Sequence, residues 1–311
     1  LVKFPGTTRN LQGSVPSYTT APVSEWLGSH VYAALGIPVH ETVLGIRDGR
    51  IVCACRDFTF PDSRLVNFHD LKNSLSDDEP GFTEDASTGS GVVLADVRSA
   101  IHRIPVLRSI DGVSDRFWDM FVVDAFIRNI DRNNTNWGVL RNPRGEFSLA
   151  PVYDNGNSFN NKRTDSGIER RLANPDLIRQ DALDVRSCYV TDRGKPIAPL
   201  KYLASGQDEE CTKALDRFME RYDPRSFHDL LGSIPSMSHG LTVVPDGFHE
   251  YHRRVCDYRY EHAFMEAWRD LHPTVGVPSS PEASVPEPLP DPDPSVLPSS
   301  SVPTCFDGPG M

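Results

Sequence analysis

The chain has 311 residues, 38% of them apolar and 24% charged, enough to bury a sizeable core as one two-lobed domain or two small ones. A net charge of −11 without any run of Lys or Arg argues against a surface that neutralises phosphate backbones or anionic lipid, so neither nucleic acid nor membrane is an expected partner. Six cysteines without a C-x-x-C pair point to reduced thiols and a cytoplasmic setting rather than a zinc finger or disulfide framework, and secretion is not legible in the sequence.

Leu1 to Phe4 read as a buried strand stopped by Pro5-Gly6, and with no initiator Met the strand is expected to be entered part-way along. A polar loop, Thr7 to Pro22, leads to a helix capped by Ser24, with Leu27, Val31, Ala34 and Leu35 at helical spacing and Gly36 with Pro38 as its stop. Strands follow at Glu41 to Ile46 and Ile51 to Ala54 around an Asp48-Gly49 turn, with Cys53 and Cys55 sharing one strand face as packing residues. Residues 76–90 are acidic and Gly/Ser-rich and read as a mobile insertion. A strong helix then runs from a Ser114 cap to about Arg128, with Trp118, Phe121, Val122 and Ala125 as its stripe.

That helix delivers the chain into the polar run 129–136, then a hairpin, Trp137 to Leu140 and Glu146 to Val152, which ends at Tyr153-Asp154-Asn155-Gly156. The remainder reads as helical, with Leu215, Phe218, Met219 and Tyr222 on one face and Phe248, Tyr251, Val255, Tyr258 and Met265 on another. His249 and His252 are expected on a solvated face. Beyond Pro273 the Pro/Ser/acidic composition predicts a disordered tail.

The interval from Asp131 to Asp154 carries the chemistry. A loop holding Asp131 and Asn136 five residues apart, and a strand end holding Asp154, present oxygen ligands and a base to one point. Phosphoryl transfer needs such an arrangement, because Mg²⁺ on the nucleotide phosphates takes hard oxygen ligands while a carboxylate orients the acceptor hydroxyl. On this reading Asn136 and Asp154 bind metal and Asp131 is the base. The alternative is that these residues are loop formers, since Asp and Asn readily make Asx-turns. Lys3 on a strand and Glu25 on the next helix would supply the phosphate-binding cation and its partner. Equally, Lys3 is a strand-end lysine reaching for water and Glu25 a first-turn acid facing the helix dipole. Arg56, Asp57 and Phe58 follow the second hairpin strand, where an adenine-binding hinge would lie.

Six segments in order, Val2-Lys3-Phe4-Pro5 with Ser24-Glu25, Ala54-Cys55-Arg56-Asp57-Phe58-Thr59, Phe117-Trp118-Asp119-Met120-Phe121-Val122, Asn129-Ile130-Asp131-Arg132, Asn136-Trp137-Gly138 and Ala150-Pro151-Val152-Tyr153-Asp154-Asn155-Gly156, resemble the HipA-like kinases over roughly residues 1–270. The resemblance implies an α+β, two-lobed protein-kinase-like fold related to the phosphatidylinositol kinases. Its small β-rich N-lobe would span 1–60 and its mainly helical C-lobe 61–272, with 273–311 as tail. It implies ATP and Mg²⁺ as cofactors, a protein substrate bearing Ser or Thr with the chain itself among the candidates, and in some members an inhibitory antitoxin-like partner. Asp131 would be catalytic, Asn136 and Asp154 metal ligands, and Lys3, Glu25, Arg56, Asp57 and Phe58 would hold the nucleotide. Two departures stand out. Asn133 occupies the place of the family's catalytic-loop histidine, and the family's Gly-rich phosphate loop would have to precede Leu1. Two further readings remain open at this point: a pseudokinase or nucleotide-binding interaction module, and a kinase for a lipid or small molecule.

Overall fold

In the computed structural model, residues 1–6, 20–76 and 91–273 are described. The predicted mobile insertion and tail, most of the predicted polar loop, and Cys305 lie outside them.

The first layer is a three-stranded antiparallel sheet in which β1 (Val2–Lys3) and β2 (Thr42–Arg47) flank β3 (Arg50–Cys55). The register puts Lys3 opposite Cys53 and Thr42 opposite Cys55. Helix α1 (Ala21–Ala34) packs on this sheet, and its Val23, Leu27, Val31 and Tyr32 are all buried. Asp48 and Gly49 both take positive φ in the β2–β3 turn, the conformation that tight hairpins demand and Asp-Gly sequences accept.

Helix α1 starts three residues before the predicted Ser24 cap, and Thr20 at its N-cap makes no side-chain capping bond. Pro22 in the first turn, where no N–H is needed, supplies the start instead. Glu25 therefore lies one turn inside the helix and fully buried, which removes the reading of it as a first-turn acid facing the dipole.

A second antiparallel sheet, β4 (Arg64–Asn67), β5 (Gly138–Arg141) and β6 (Phe147–Leu149) with β5 central, lies against the helical part. The sequence predicted the β5–β6 hairpin, slightly too long, and missed β4. Asn67 pairs with Gly138, where an added Cβ would sit 2.3 Å from the Val66 carbonyl oxygen, so only glycine admits this approach. Val152, predicted as strand, instead bridges to Val39 beyond the sheet.

The centre of the helical part is α2 (Val113–Ile127), where Phe117, Trp118, Phe121, Val122 and Phe126 are buried. It begins at Val113 after Gly112, so Ser114 is not its cap, and the Ser114 hydroxyl donates to Glu210 instead. Arg128, just past the helix end, adopts a left-handed conformation and turns the chain into the loop that follows. Helix α3 (Glu209–Arg221) packs on α2 through Leu215 and Phe218. Helix α4 (Phe248–Arg259) buries Phe248, Tyr251 and Val255 as predicted.

The histidines of α4 are not on a solvated face. His252 is inside the core, its ring 4.3 Å from that of Phe248, and burial pushes its pKa down to about 3, which keeps it neutral. His249 Nε2 meets the Ile234 carbonyl at 2.8 Å. Among the described residues, no helix is long and apolar enough to cross a membrane.

Candidate active site

Three elements converge on Asp154. β1 brings Lys3, α1 brings Glu25, and the chain leaving β6 brings Asp154. The Lys3 ammonium donates to Glu25 Oε2 at 2.7 Å and also to Asp154 Oδ1. The reading of Lys3 as a strand-end lysine reaching for water therefore fails, for its ammonium is held between two carboxylates. Burial works against its charge, but Glu25 and Asp154 outweigh it and raise the pKa. Burial alone would likewise raise the Glu25 carboxyl, yet neighbouring His40 and Lys3 hold it down to about 2. Asp154 has φ of 61°, a left-handed conformation unusual for a residue with a side chain and frequent at working sites.

The loop after α2 is built around its own polar side chains. Asn129 Oδ1 accepts from the Asp131 N–H at 3.2 Å, and Asn136 Nδ2 donates to the Asp131 carbonyl at 2.6 Å. Asn133 Nδ2 donates to Asp131 Oδ1 at 2.9 Å, while its own oxygen accepts from the N–H and hydroxyl of Thr135. Asn157, three residues past Asp154, donates to Asp131 Oδ2 at 2.8 Å. Both carboxylate oxygens of Asp131 thus accept from amides on two different segments, which fixes the plane of the group.

Arg132 ties the two segments together. Fully buried, it pairs with Asp124 at 2.8 Å and donates to the carbonyls of Asn136, at 3.0 Å, and Tyr153, and to Asn155 Oδ1 at 2.6 Å. Burial opposes its charge, yet the Asp124 carboxylate raises its pKa well above the ordinary guanidinium value. Asp124 also accepts from Tyr32 of α1 at 2.7 Å, and Asn155 Nδ2 donates to Ser29 of α1 at 3.0 Å. One continuous polar network therefore runs from α1 through the strand end to the loop. Gly28 of α1 permits that contact, since a Cβ there would lie 2.8 Å from Asn155 Cβ.

The proposed hinge residues are placed apart from this cluster. Arg56 pairs with Glu41 in solvent at 2.8 Å, and Asp57 accepts from the Thr59 N–H and hydroxyl. Phe58 is the inward member, its ring 5.5 Å from that of Tyr153 and 6.5 Å from that of His40. Sequence reasoning missed Asn157, Arg132, Asp124 and His40. Asn157 had a visible signal, since the polar run from Asp154 continues through it. His40 had none.

The donor set suits a hard divalent cation: Asp154 offers a partly exposed carboxylate, and the Asn136 amide, with its nitrogen engaged, offers an oxygen whose contact with the Thr135 hydroxyl is a long 3.4 Å. The Lys3 ammonium on Asp154 shows that this carboxylate already holds a positive charge in place.

No family model matches the chain. The serine/threonine-protein kinase CtkA of Helicobacter pylori is 33% identical over 240 residues, covering 76% of this chain and 71% of the relative. The crystal structure of the Helicobacter pylori proinflammatory kinase CtkA superposes with a TM-score of 0.74 and 29% identity over 86% of each chain. A HipA from a Shewanella oneidensis toxin–antitoxin complex with HipB and operator DNA aligns at 0.48 and 13%, over 86% of this chain and 59% of its own. By its identity and coverage with CtkA, the chain belongs to the CtkA family of serine/threonine protein kinases, with their α+β kinase fold.

Proposed function

We propose that the protein moves the γ-phosphoryl group of ATP to Ser or Thr hydroxyls of protein acceptors, itself among them, at the cluster formed by Lys3, Glu25, Asp131, Asn136 and Asp154. The observation that carries this reading is the tie between Asp131 and the segment bearing Asp154, through Asn157 and Arg132, because it joins a base and a metal carboxylate in one rigid unit. Mg²⁺, held by Asp154 and Asn136, would offset phosphate charge.

Lys3, positioned by Glu25, binds and orients the nucleotide phosphates, exchanging its contact with Asp154 for them. Asp131 accepts a hydrogen bond from the acceptor hydroxyl, aligns it, and takes its proton at a carboxylate oxygen. The amides of Asn133 and Asn157 hold that carboxylate in plane, so the residue standing where the family has histidine serves as a positioning donor. Among the described residues, the backbone N–H and C=O of Asp57 and Phe58 take no backbone hydrogen bond, which leaves them for the adenine edge, with the Phe58 ring flanking it. The lobes would then divide near residue 60.

The test is transfer from radiolabelled ATP to the full-length protein and to a generic basic protein, with and without Mg²⁺. Phosphoserine or phosphothreonine that depends on Mg²⁺ and falls by about 10² to 10⁴ in Asp131→Ala supports the reading. Nucleotide binding without transfer would replace it with a binding module, and a lipid product on thin-layer analysis would move the acceptor class.

A further inference from the structure

Glu25 has a second side. Its Oε2 is bound by Lys3, but its Oε1, in a residue with no exposed surface, accepts no hydrogen bond. His40 Nε2 approaches that oxygen to 2.9 Å, yet the imidazole is turned so that Nε2 meets Ser29 Oγ at 3.1 Å. A buried carboxylate oxygen met only by an imidazole nitrogen that is shared with a hydroxyl is under-satisfied, and one explanation for such an atom is an ion. Cys55 completes the surroundings: Glu25, His40 and Cys55, all buried, each bring a ligand atom within 4.8 Å of the other two.

We propose that Glu25 Oε1, His40 Nε2 and Cys55 Sγ form a site for one Zn²⁺-class cation, and that the ion regulates the neighbouring Lys3. The three residues come from α1, the α1–β2 connection and the end of β3, so the fold rather than a sequence motif assembles them. A tetrahedral zinc holds its ligands about 3.3 to 3.8 Å apart, given bonds of about 2.0 to 2.3 Å, and small side-chain rotations close the set to that spacing. Thiolate with imidazole and carboxylate selects Zn²⁺ over Mg²⁺, which prefers oxygen alone. Three protein ligands leave a fourth position for water, with the Ser29 hydroxyl beside His40.

On binding, the Cys55 thiol loses its proton to buffer as sulfur enters the coordination shell, while Glu25 remains a carboxylate and no redox change occurs. The cation takes up the Glu25 charge that positions the Lys3 ammonium, so Lys3 loses its orientation. On the reading of Lys3 as the phosphate-binding residue, nucleotide engagement weakens.

The experiment is equilibrium dialysis of the full-length protein against Co²⁺ or Zn²⁺ alone, without nucleotide. Bound metal is counted by elemental analysis, and the cobalt-to-thiolate charge-transfer band is read in the near ultraviolet. One ion per chain with a thiolate band is expected, the band disappearing and affinity falling at least about 100-fold in Cys55→Ser. Cys53→Ser keeps both. His40→Gln, which retains the thiol, weakens binding without touching Cys55 and serves if Cys55→Ser does not fold. Absence of the band in the wild type, its persistence in Cys55→Ser, or undiminished affinity in His40→Gln overturns the site. A separate arm measures transfer with and without Zn²⁺: wild type loses it and Cys55→Ser does not. Equal inhibition of both overturns the regulatory part. Absence of transfer in zinc-free wild type supplied with Mg²⁺ and ATP sinks the kinase mechanism, while the thiolate band still decides the metal site by itself.

Discussion

Asp131 and Glu25 are both carboxylates of the candidate site, and their surroundings give them different work. Asp131 accepts from two side-chain amides, Asn133 and Asn157, neither of which carries charge, so the group is oriented without being neutralised. Asn157→Ala removes one donor and frees the carboxylate to rotate, and we expect transfer to drop roughly tenfold or more with little change in stability. Asn157→Asp, which places a like charge beside Asp131, should cost more. Steady-state kinetics on the two variants separate geometry from charge. Glu25 instead has a pKa lowered from 4.5 to about 2 by its His40 and Lys3 neighbours. Since the folded-state value is the lower one, the unfolded chain binds more protons between the two. The stabilisation is therefore complete above pH about 4.5 and is lost as pH falls toward 2. It amounts to about 3 kcal/mol, and Glu25→Gln abolishes it. Urea unfolding of wild type and Glu25→Gln at several pH values should show the gap between them closing over that window. A gap independent of pH would mean that the Lys3 and His40 contacts do not depend on the Glu25 charge.

Elements decide where these residues meet, and here sequence legibility divides. The predicted strand, helix and hairpin of the first sixty residues are present, because alternation, an Asp-Gly turn and helical spacing are local signals. Lys3, Glu25 and Asp154 were each named from sequence, and the structure brings them together. The boundaries of α1 and α2 were misplaced because a serine near a helix start reads as a cap, whereas the chain turned at Pro22 and Gly112. The strand β4 was missed because four residues give too little alternation, and its pairing with β5 is fixed by the close backbone approach at Gly138. Arg132 looked like a loop arginine, since nothing local shows that its five donors are consumed by partners from Asp124 to Asn155. Arg132→Met leaves Asp124 buried with its main partner gone, for which a loss of about 3 to 5 kcal/mol is expected. Gly28→Ala acts on the same network from the α1 side. Its Cβ meets Asn155 Cβ at 2.8 Å, so helix and strand end must separate, at about 1 to 3 kcal/mol. Thermal unfolding of both variants tests whether α1 and the loop are held by this network.

The described residues up to Pro273 fall within one compact unit, Leu1–Pro273, so a ligand that binds the candidate site should stabilise all of it together. At a free concentration about 100 times its dissociation constant, such a ligand adds about 2.7 kcal/mol. For a unit of this size that corresponds to a rise in Tm of roughly 5 to 10 °C. The pattern across variants discriminates more sharply than the magnitude. On the proposed mechanism Lys3→Ala removes the cation for the phosphates and should abolish most of the shift, with or without Mg²⁺. Asp154→Ala removes the carboxylate proposed to hold the metal, so a smaller shift with ATP alone should survive while the Mg²⁺-dependent increment disappears. Asp131→Ala, which touches neither phosphate nor metal, should keep the full shift and lose transfer. Together these outcomes assign binding, metal and base to three different residues. A wild-type shift as large as that of Asp131→Ala, with no transfer in either, would instead identify a protein that binds nucleotide and does not turn it over.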